Sequence, residues 1–407
     1  MLQVMGTVYQ GLGLYPRAEI LLKEAVEIRQ RVLGPEHPET LASTSRLAWI
    51  IHDGGRFSEA ETMERDLVAT ERRVLGPDHR STLLDESNLA WTLEDGGHQN
   101  EAEKICRSTL DRQQRVFGID DRDTMESMRR LAWILASEGR FAEAENIGRE
   151  TLERRKRALG QEDLHTLLSM SELGTVLIQE GRYEEAESIL RQTLEIQRRI
   201  LGPEHHSTLA TAGNLAVALE HEHRYADAEQ IYQESLAIES RTRGQDNPGT
   251  LMTMGNLATL FEDEHHYPKA EMLHRDVLER RRRILGPNHP DVALALYNIA
   301  DVLYQEHRYA ESATLFQEAL DIQRRALGVR HPDALDSNAR LASVLALMNK
   351  KDEALATLRE AFANGLDPKD LAELEKHGDF KAISGDPRYL ALVAETKQQA
   401  FGASPTK

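Results

Sequence analysis

One glycine recurs every 42 residues through most of the chain, and this period constrains the fold more than any other feature. The stretch 173–202, LGTVLIQEGRYEEAESILRQTLEIQRRILG, ends at Gly202. Equivalent glycines are Gly34, Gly76, Gly118, Gly160, Gly244, Gly286 and Gly328. Ala186 recurs at the same spacing, with Ser312 as its only departure. A fixed period without insertions indicates a repeat array, in which each unit buries its apolar face against its neighbours.

Each unit is predicted to contain two antiparallel helices. Met170, Leu173 and Leu177 recur at three- and four-residue spacing, as expected for one face of a helix. A second apolar stripe of the same spacing begins at Ala186. The glycine between them, Gly181, suits the left-handed conformation that ends a helix. We call the first helix of each unit helix A and the second helix B. Because the connections are short, the two helices must lie antiparallel.

Composition limits the class of function. The formal net charge of -18 argues against nucleic acid and against anionic lipid as partners. The single cysteine, Cys106, excludes a disulfide framework and is typical of a reducing compartment. No apolar run approaches the ~18 residues of a membrane span, and no signal peptide precedes the first unit. The sequence therefore predicts a cytoplasmic protein with neither a membrane nor a nucleic acid as its partner.

The repeat resembles the tetratricopeptide repeat. Leu173-Gly174-x-x-Leu177 and Met5-Gly6-x-x-Tyr9 match its L-G-x-x-Y core, and Ala186 matches its buried alanine. The usual period is about 34 residues. The longer unit here, with linkers such as LGPEHPET at 33–40, is similar to the repeats of kinesin light chains. The resemblance implies an all-α fold, a right-handed α-solenoid of about nine helix pairs.

Both ends depart from the period. Met5-Gly6 aligns with Leu47-Ala48, so the chain opens inside a helix A, and we expect the native protein to continue upstream or to be covered there by a partner. We predict an array over residues 1–363 and a capping segment over 364–407, with helices near 368–376 and 387–400. This segment resembles the closing segment of bacterial tetratricopeptide proteins, some of which follow serine/threonine kinase domains.

Histidine occurs at two recurring positions. The first column lies just before helix A and comprises His37, His79, Asp121, Asp163, His205, Asn247, His289 and His331. Because Asp and Asn are strong N-cap residues, we interpret this column as caps. The second set lies at the turn between the helices and comprises His221, His223, His265, His266 and His307. Equivalent sites in successive units are ~8–10 Å or more apart, too far for shared zinc ligands, so no metal is predicted.

No catalytic constellation is present in the sequence. It lacks a phosphate-binding G-x-x-x-x-G-K-[ST], an H-E-x-x-H, a G-x-S-x-G and the kinase signatures. Cys106 occupies a helix B position that is Leu190 or Phe316 in other units, so we expect it to fill the core. Arginine pairs that end helix B complement the helix dipole, or alternatively bind an acidic partner. We predict no enzymatic activity and no cofactor.

The best candidate for a binding site is the stripe of helix A that points away from helix B. In three successive units this stripe holds Ala42, Ser45 and Trp49, then Leu84, Ser87 and Trp91, then Glu126, Arg129 and Trp133. Beside it lies a polar column of Arg46, Asn88, Arg130, Glu172, Asn214, Asn256, Asn298 and Arg340. The resemblance implies that both face a concave groove, where the asparagines would hold a peptide backbone. Alternatively, the tryptophans pack only on neighbouring helices.

These features predict a non-enzymatic scaffold that binds a protein or peptide in its groove. The candidate groove residues are Trp49, Trp91, Trp133, Arg46, Asn88, Arg130, Asn214, Asn256 and Asn298. The alternative is a regulatory or sensor C-terminal part of a larger bacterial signalling protein, such as a serine/threonine kinase.

Overall fold

The computed structural model describes residues 2–11, 14–367, 376 and 378–402, and these residues form α-helices, one 3-10 helix and no strand. Helices A are α1 (Leu2–Gly11), α3 (Pro38–Asp53), α5 (Arg80–Asp95), α7 (Arg122–Ser137), α9 (Leu164–Gln179), α11 (His206–His221), α13 (Pro248–Asp263), α15 (Pro290–Gln305) and α17 (Pro332–Leu347). Helices B are α2 (Tyr15–Leu33), α4 (Phe57–Val74), α6 (Gln99–Phe117), α8 (Phe141–Leu159), α10 (Tyr183–Ile200), α12 (Tyr225–Thr242), α14 (Tyr267–Leu285), α16 (Tyr309–Ala326) and α18 (Lys351–Asn364). The predicted all-α array of alternating helices is confirmed.

The helices form two compact units, Met1–Glu264 and His265–Lys407. Within each unit, each helix packs against the next one along the chain. In the first unit, successive helices A also contact each other, from α3 and α5 through to α11 and α13. Contacts between successive helices B are sparser. Since helices converge on the inner side of a curved stack, helices A line the concave side of this unit.

The column of residues before helix A provides the N-caps, as predicted. At all eight positions a side chain accepts a hydrogen bond from the backbone N–H two residues later. At His79 the acceptor is Nδ1, 3.2 Å from the backbone nitrogen of Ser81, and at Asp163 it is Oδ1, 2.8 Å from that of His165. Histidine, aspartate and asparagine are interchangeable here because each places an acceptor near the same free donors.

The turn between helices A and B requires a left-handed residue. Gly181 has φ +77° at this turn, and Gly139 has φ +75°. The equivalent residues in later units are His223, His265 and His307, each with φ 60°. Non-glycine residues are strained in this conformation. In each of the three, the imidazole Nδ1 lies within hydrogen-bond distance of the hydroxyl of the tyrosine two residues later, at 2.8–2.9 Å.

One position at the centre of helix B fills the space against helix A. We call it the core column, and it comprises Leu22, Glu64, Cys106, Gly148, Leu190, Tyr232, His274, Phe316 and Leu358. Eight of the nine are at most 2% exposed; Gly148 is the exception. Cys106 is fully buried, and burial raises the pKa of its thiol to about 12, so the predicted role as a core residue is confirmed.

The C-terminal segment packs on the last helices of the second unit. A 3-10 helix (Asp379–Ala382) and α19 (Pro387–Gly402) follow α18. Phe380 and Tyr389 stack at 5.9 Å and join the apolar cluster of α17 and α18. Asp379 accepts hydrogen bonds from the hydroxyls of Tyr304 and Ser343. The predicted helix near 387–400 is present, whereas the predicted helix near 368–376 lies outside the described residues.

Candidate functional site

The three tryptophans lie on the helix A stripe, but only two of them pair. Trp91 of α5 and Trp133 of α7 stack with their ring centroids 6.2 Å apart and an interplanar angle of 24°. Trp49 of α3 instead stacks on His52 of its own helix, at 4.9 Å and 17°. All three tryptophans are half-buried. They therefore present part of each ring to solvent on the concave side of the first unit.

Two arginines flank the tryptophan pair. The guanidinium carbons of Arg129 and Arg130 lie 5.7 Å and 5.9 Å from the centroid of the Trp91 ring, within the range of a cation–π contact. Arg129 forms ion pairs with Glu126 and Glu172. Burial opposes ionisation of Glu126, but the hydrogen bond and charge of Arg129, with the neighbouring arginines, lower its pKa to about 2. The charge on Arg129 is thus balanced within the protein.

Arg130 is compensated less completely. Its Nη1 donates to Asn88 Oδ1 at 2.9 Å and to Ser87 Oγ at 3.3 Å, while its Nε has no hydrogen-bond partner among the described residues. Its nearest carboxylate, Glu126, is 3.7 Å away. Burial lowers the pKa of Arg130. A negatively charged ligand group close to the guanidinium would therefore stabilise this cation.

The polar column is partly engaged in internal hydrogen bonds. Asn88 donates to Asp85 at 3.1 Å and accepts from Arg130, so both ends of its amide are used. Asn214 donates to the hydroxyl oxygens of Ser171 and Thr175, and its carbonyl oxygen has no hydrogen-bond partner among the described residues.

Asn256 in the first unit and Asn298 in the second are half-buried, and neither has a side-chain hydrogen bond to another described residue. The prediction that the asparagines hold a peptide backbone is therefore compatible with Asn214, Asn256 and Asn298. The prediction does not suit Asn88, because both ends of its amide already form hydrogen bonds within the protein.

An open cavity of about 420 Å³ lies beside Trp49. It is lined by Gln10, Leu22, Ser45, Arg46, Trp49, Asn88 and Arg130. The cavity thus brings together four of the predicted groove residues, from α3, α5 and α7. Its lining combines one aromatic face with two guanidinium groups, an arrangement that suits a ligand with both apolar and hydrogen-bond-accepting groups.

Buried carboxylates below this cavity were not singled out in the sequence. Asp85 accepts hydrogen bonds from Ser45 at 2.6 Å and from Asn88, both of which line the cavity. Burial and the nearby Asp85 raise the pKa of Glu71 to about 8. Burial raises the pKa of Glu64 to about 7. A signal for Glu64 was available, since a charged residue interrupts an otherwise mostly apolar core column.

His52 is a buried cation in the same region. Burial disfavours its charged form, but the hydrogen bonds that its ring nitrogens donate to the carboxylates of Asp53 and Asp95, and the charges of these carboxylates, raise its pKa to about 9. Its Nε2 lies 2.8 Å from Asp95 Oδ2. The ring that stacks on Trp49 is therefore an imidazolium at neutral pH.

Arginines at the turns and helix ends pair with carboxylates of the preceding unit. Arg140, Arg182 and Arg224 each reach a glutamate 37 residues earlier at 2.7 Å. At the end of helix B, Arg73 and Arg199 likewise bind Glu36 and Glu162. These exposed pairs contribute little energy individually. The sequence suggested this arginine-rich edge as an alternative site for an acidic partner. In the structure, these arginines are already paired with carboxylates of the protein itself.

Neither a metal site nor a membrane-spanning helix is found in the part of the chain that the structure describes. Among the residues that the structure describes, no group of three or more His, Cys, Asp or Glu side chains is placed to hold a metal ion. Within the same residues, no helix combines the length and apolar character needed to cross a bilayer.

The repeated helix pair is typical of one class of protein, and comparison with protein families identifies the same class. The family model of the tetratricopeptide repeat matches residues 1–70, 99–157, 165–238, 207–283, 263–322 and 291–365, together more than half of the chain. The chain therefore belongs to the tetratricopeptide repeat family, whose members typically act as scaffolds that mediate protein–protein interaction. No curated protein sequence matches it.

Solved structures with a similar fold include kinesin light chain-like proteins. A putative kinesin light chain of Podosopora anserina, with nearly identical TPR-like repeats, is 23% identical, with 50% of this chain and 97% of that chain covered and a TM-score of 0.42. BtubC (BKLC) from P. vanneervenii is 20% identical over 56% of this chain and 92% of that one, with a TM-score of 0.45. The apo form of RapI is 13% identical over 90% and 99%, with a TM-score of 0.47.

Proposed function

We propose that this protein is a non-enzymatic scaffold whose first unit binds an extended peptide segment of a partner protein on the concave side formed by helices A. The observation that carries the proposal is the Trp91–Trp133 pair, which is half-exposed and flanked by two arginines. Tryptophan and arginine are enriched among the residues that dominate the binding energy of protein interfaces, and the indole ring buries a large area at low entropic cost.

The remaining groove residues bind different parts of the peptide. The cavity at Trp49, Arg46 and Arg130 accepts a side chain with both apolar and acceptor groups. Further along the first unit, Asn214 and Asn256 offer amide groups to a peptide main chain, and Asn298 occupies the equivalent position in the second unit. Main-chain hydrogen bonds hold an extended segment without demanding a particular sequence.

The test uses peptides selected against the protein itself. A displayed library of random 12-residue peptides supplies ligands, and calorimetry measures their affinity for the wild type and for Trp91→Ala. We expect Trp91→Ala to weaken binding at least tenfold, about 1.4 kcal/mol, because the indole face contributes directly. The helical circular dichroism spectrum should be unchanged, since Trp91 is only half-buried.

Ile20→Ala is the matched control. Ile20 is an apolar residue of helix B that is 66% exposed and lies off the proposed groove, so this variant should bind as the wild type does. Equal affinity of wild type and Trp91→Ala would contradict the proposal. Loss of the helical spectrum in Trp91→Ala would show that the tryptophans belong to the core.

A further inference from the structure

The core column has a gap in α8. Gly148 is half-exposed, whereas the equivalent Cys106 and Leu190 in the neighbouring units are fully buried. A Cβ built on Gly148 would meet only Leu173 Cδ1, at 3.8 Å, so the neighbouring helices have not closed the space. By contrast, a Cβ at Gly174 would lie 2.6 Å from Leu190 Cγ, which shows how tightly the next unit is filled.

The gap forms a small cavity that extends to the proposed groove. Its volume is about 20 Å³, and its lining includes Trp133 and Arg129 of α7 and Glu172 of α9. These three residues are half-buried members of the helix A stripe and polar column, while Leu173 and Val176 form the interior. The cavity therefore lies in the floor of the groove, beside the stacked tryptophans.

The lining favours an apolar occupant over water. Thr151 already donates to the carbonyl of Ile147 at 2.7 Å, and Ser169 accepts from Arg155 at 2.8 Å. Arg129 and Glu172 pair with each other, and Glu172 Oε2 is the one buried side-chain oxygen of the lining without a partner among the described residues. A buried water normally makes about three hydrogen bonds, and cavities lined by apolar groups stay dry. The volume suits a methyl-sized group.

We propose that the cavity at Gly148 is a side-chain pocket that takes the methyl-bearing end of a Val, Leu or Ile residue of the bound peptide. The proposal rests on the proposed function of the groove. It specifies one ligand position beside the tryptophan pair at which an aliphatic residue is required and a charged or aromatic residue is too polar or too large.

The first test needs no peptide. Xenon dissolved under pressure enters small apolar cavities, so it should shift the ¹³C methyl resonances of Leu173 and Val176 in the wild type. In Gly148→Leu, which restores the residue found at Leu190, these shifts should disappear. Wild-type resonances that do not move under xenon would overturn the proposal, whatever the fate of the variant.

The second test couples the pocket to the ligand. Peptides selected on the wild type should share one aliphatic position, and replacing that residue by alanine should weaken binding at least tenfold. Against Gly148→Leu, the same replacement should have no effect, because the pocket is already filled. Peptides weakened by Trp91→Ala but unaffected by Gly148→Leu would refute the pocket and leave the groove standing. Peptides unaffected by Trp91→Ala would refute the groove itself.

Discussion

Replacing Glu64 by leucine should stabilise the protein, and by an amount that depends on pH. Glu64 is 2% exposed in α4, and neither of its carboxylate oxygens has a hydrogen-bond partner among the described residues. The core column holds leucine at the equivalent Leu22, Leu190 and Leu358, so the backbone accommodates this side chain. An unpaired carboxylate in such a site is costly when ionised.

The magnitude follows from the pKa. Burial raises the pKa of Glu64 from 4.5 to about 7. Each pKa unit corresponds to about 1.4 kcal/mol, so above pH 7 ionisation of Glu64 costs the folded state roughly 3 kcal/mol. The folded protein binds this proton more tightly than the unfolded chain does. The contribution of Glu64 to the stability of the wild type therefore falls as the pH rises from about 4.5 to about 7, and Glu64→Leu escapes this loss.

Denaturant unfolding at pH 5 and pH 8, followed by tryptophan fluorescence, measures the effect. All three tryptophans lie in α3, α5 and α7, so the signal reports the units around α4. The advantage of Glu64→Leu should be clearly larger at pH 8 than at pH 5. Glu71 and His52 titrate in both proteins and largely cancel in the difference.

Glu64→Gln serves as the control for charge. It should remove the pH dependence and recover less stability than Glu64→Leu, because its amide is still polar. An advantage of Glu64→Leu that is equal at the two pH values would refute the assigned cause. A Glu64→Leu protein that is less stable than the wild type at pH 8 would also refute it.

Two further substitutions test packing and capping. Gly213→Ala should stabilise the first unit by about 0.5–1 kcal/mol through helix propensity, since an added Cβ there meets nothing within 4 Å. Gly174→Ala should instead destabilise it by up to about 2 kcal/mol, because Leu190 must move; equal thermal shifts for the two variants would contradict this. His79→Asp should raise the melting temperature by a few degrees, since aspartate is the stronger N-cap and complements the helix dipole. A melting temperature at or below that of the wild type would count against the capping role.

The regular part of the fold was predictable because every structural requirement appears many times in the sequence. A single histidine before a helix carries little information, but the column that includes His79, Asp121 and Asn247 shares only one property, a side-chain acceptor at a fixed position. The turn is similar, because glycine at Gly181 and histidine at His223 both adopt a left-handed conformation. Comparing equivalent residues of all units therefore identifies the backbone conformation that the repeat requires. It does not identify the individual units whose side chains depart from the pattern.

The pairing within the candidate site depends on neighbours that differ from unit to unit. Trp49 has His52 three residues later and stacks on it, whereas the equivalent neighbours of Trp91 and Trp133 are Glu94 and Ala136. Without a competing ring in their own helices, these two tryptophans stack on each other. A column of aromatic residues indicates a shared face, but it does not specify which rings meet.

The polar column shows the same limit. Asparagine and arginine at Asn88 and Arg130 were expected to face a ligand, yet the arginine side chain is long enough to reach the preceding unit and bind Asn88 there. Asn214 and Asn256 have no arginine in the following unit, since the next members of the column are Asn256 and Asn298. In the first unit, the amide groups that remain available are therefore those whose successor in the column is short. Asn298 in the second unit is followed by Arg340, whose guanidinium pairs with Asp301 instead.

Two of the departures from the core column, Glu64 and Gly148, occur in helices that flank the tryptophan pair, while a third, His274, lies in the second unit. Glu64 in α4 keeps the volume of the site but introduces a charge, and Gly148 in α8 introduces no charge but leaves the volume empty. We expect both residues to lower the stability of their units, as residues at binding sites often do. In an array whose units contact only their neighbours, such costs stay local. Their position on either side of Trp91 and Trp133 is the pattern expected if this segment serves binding at the expense of folding.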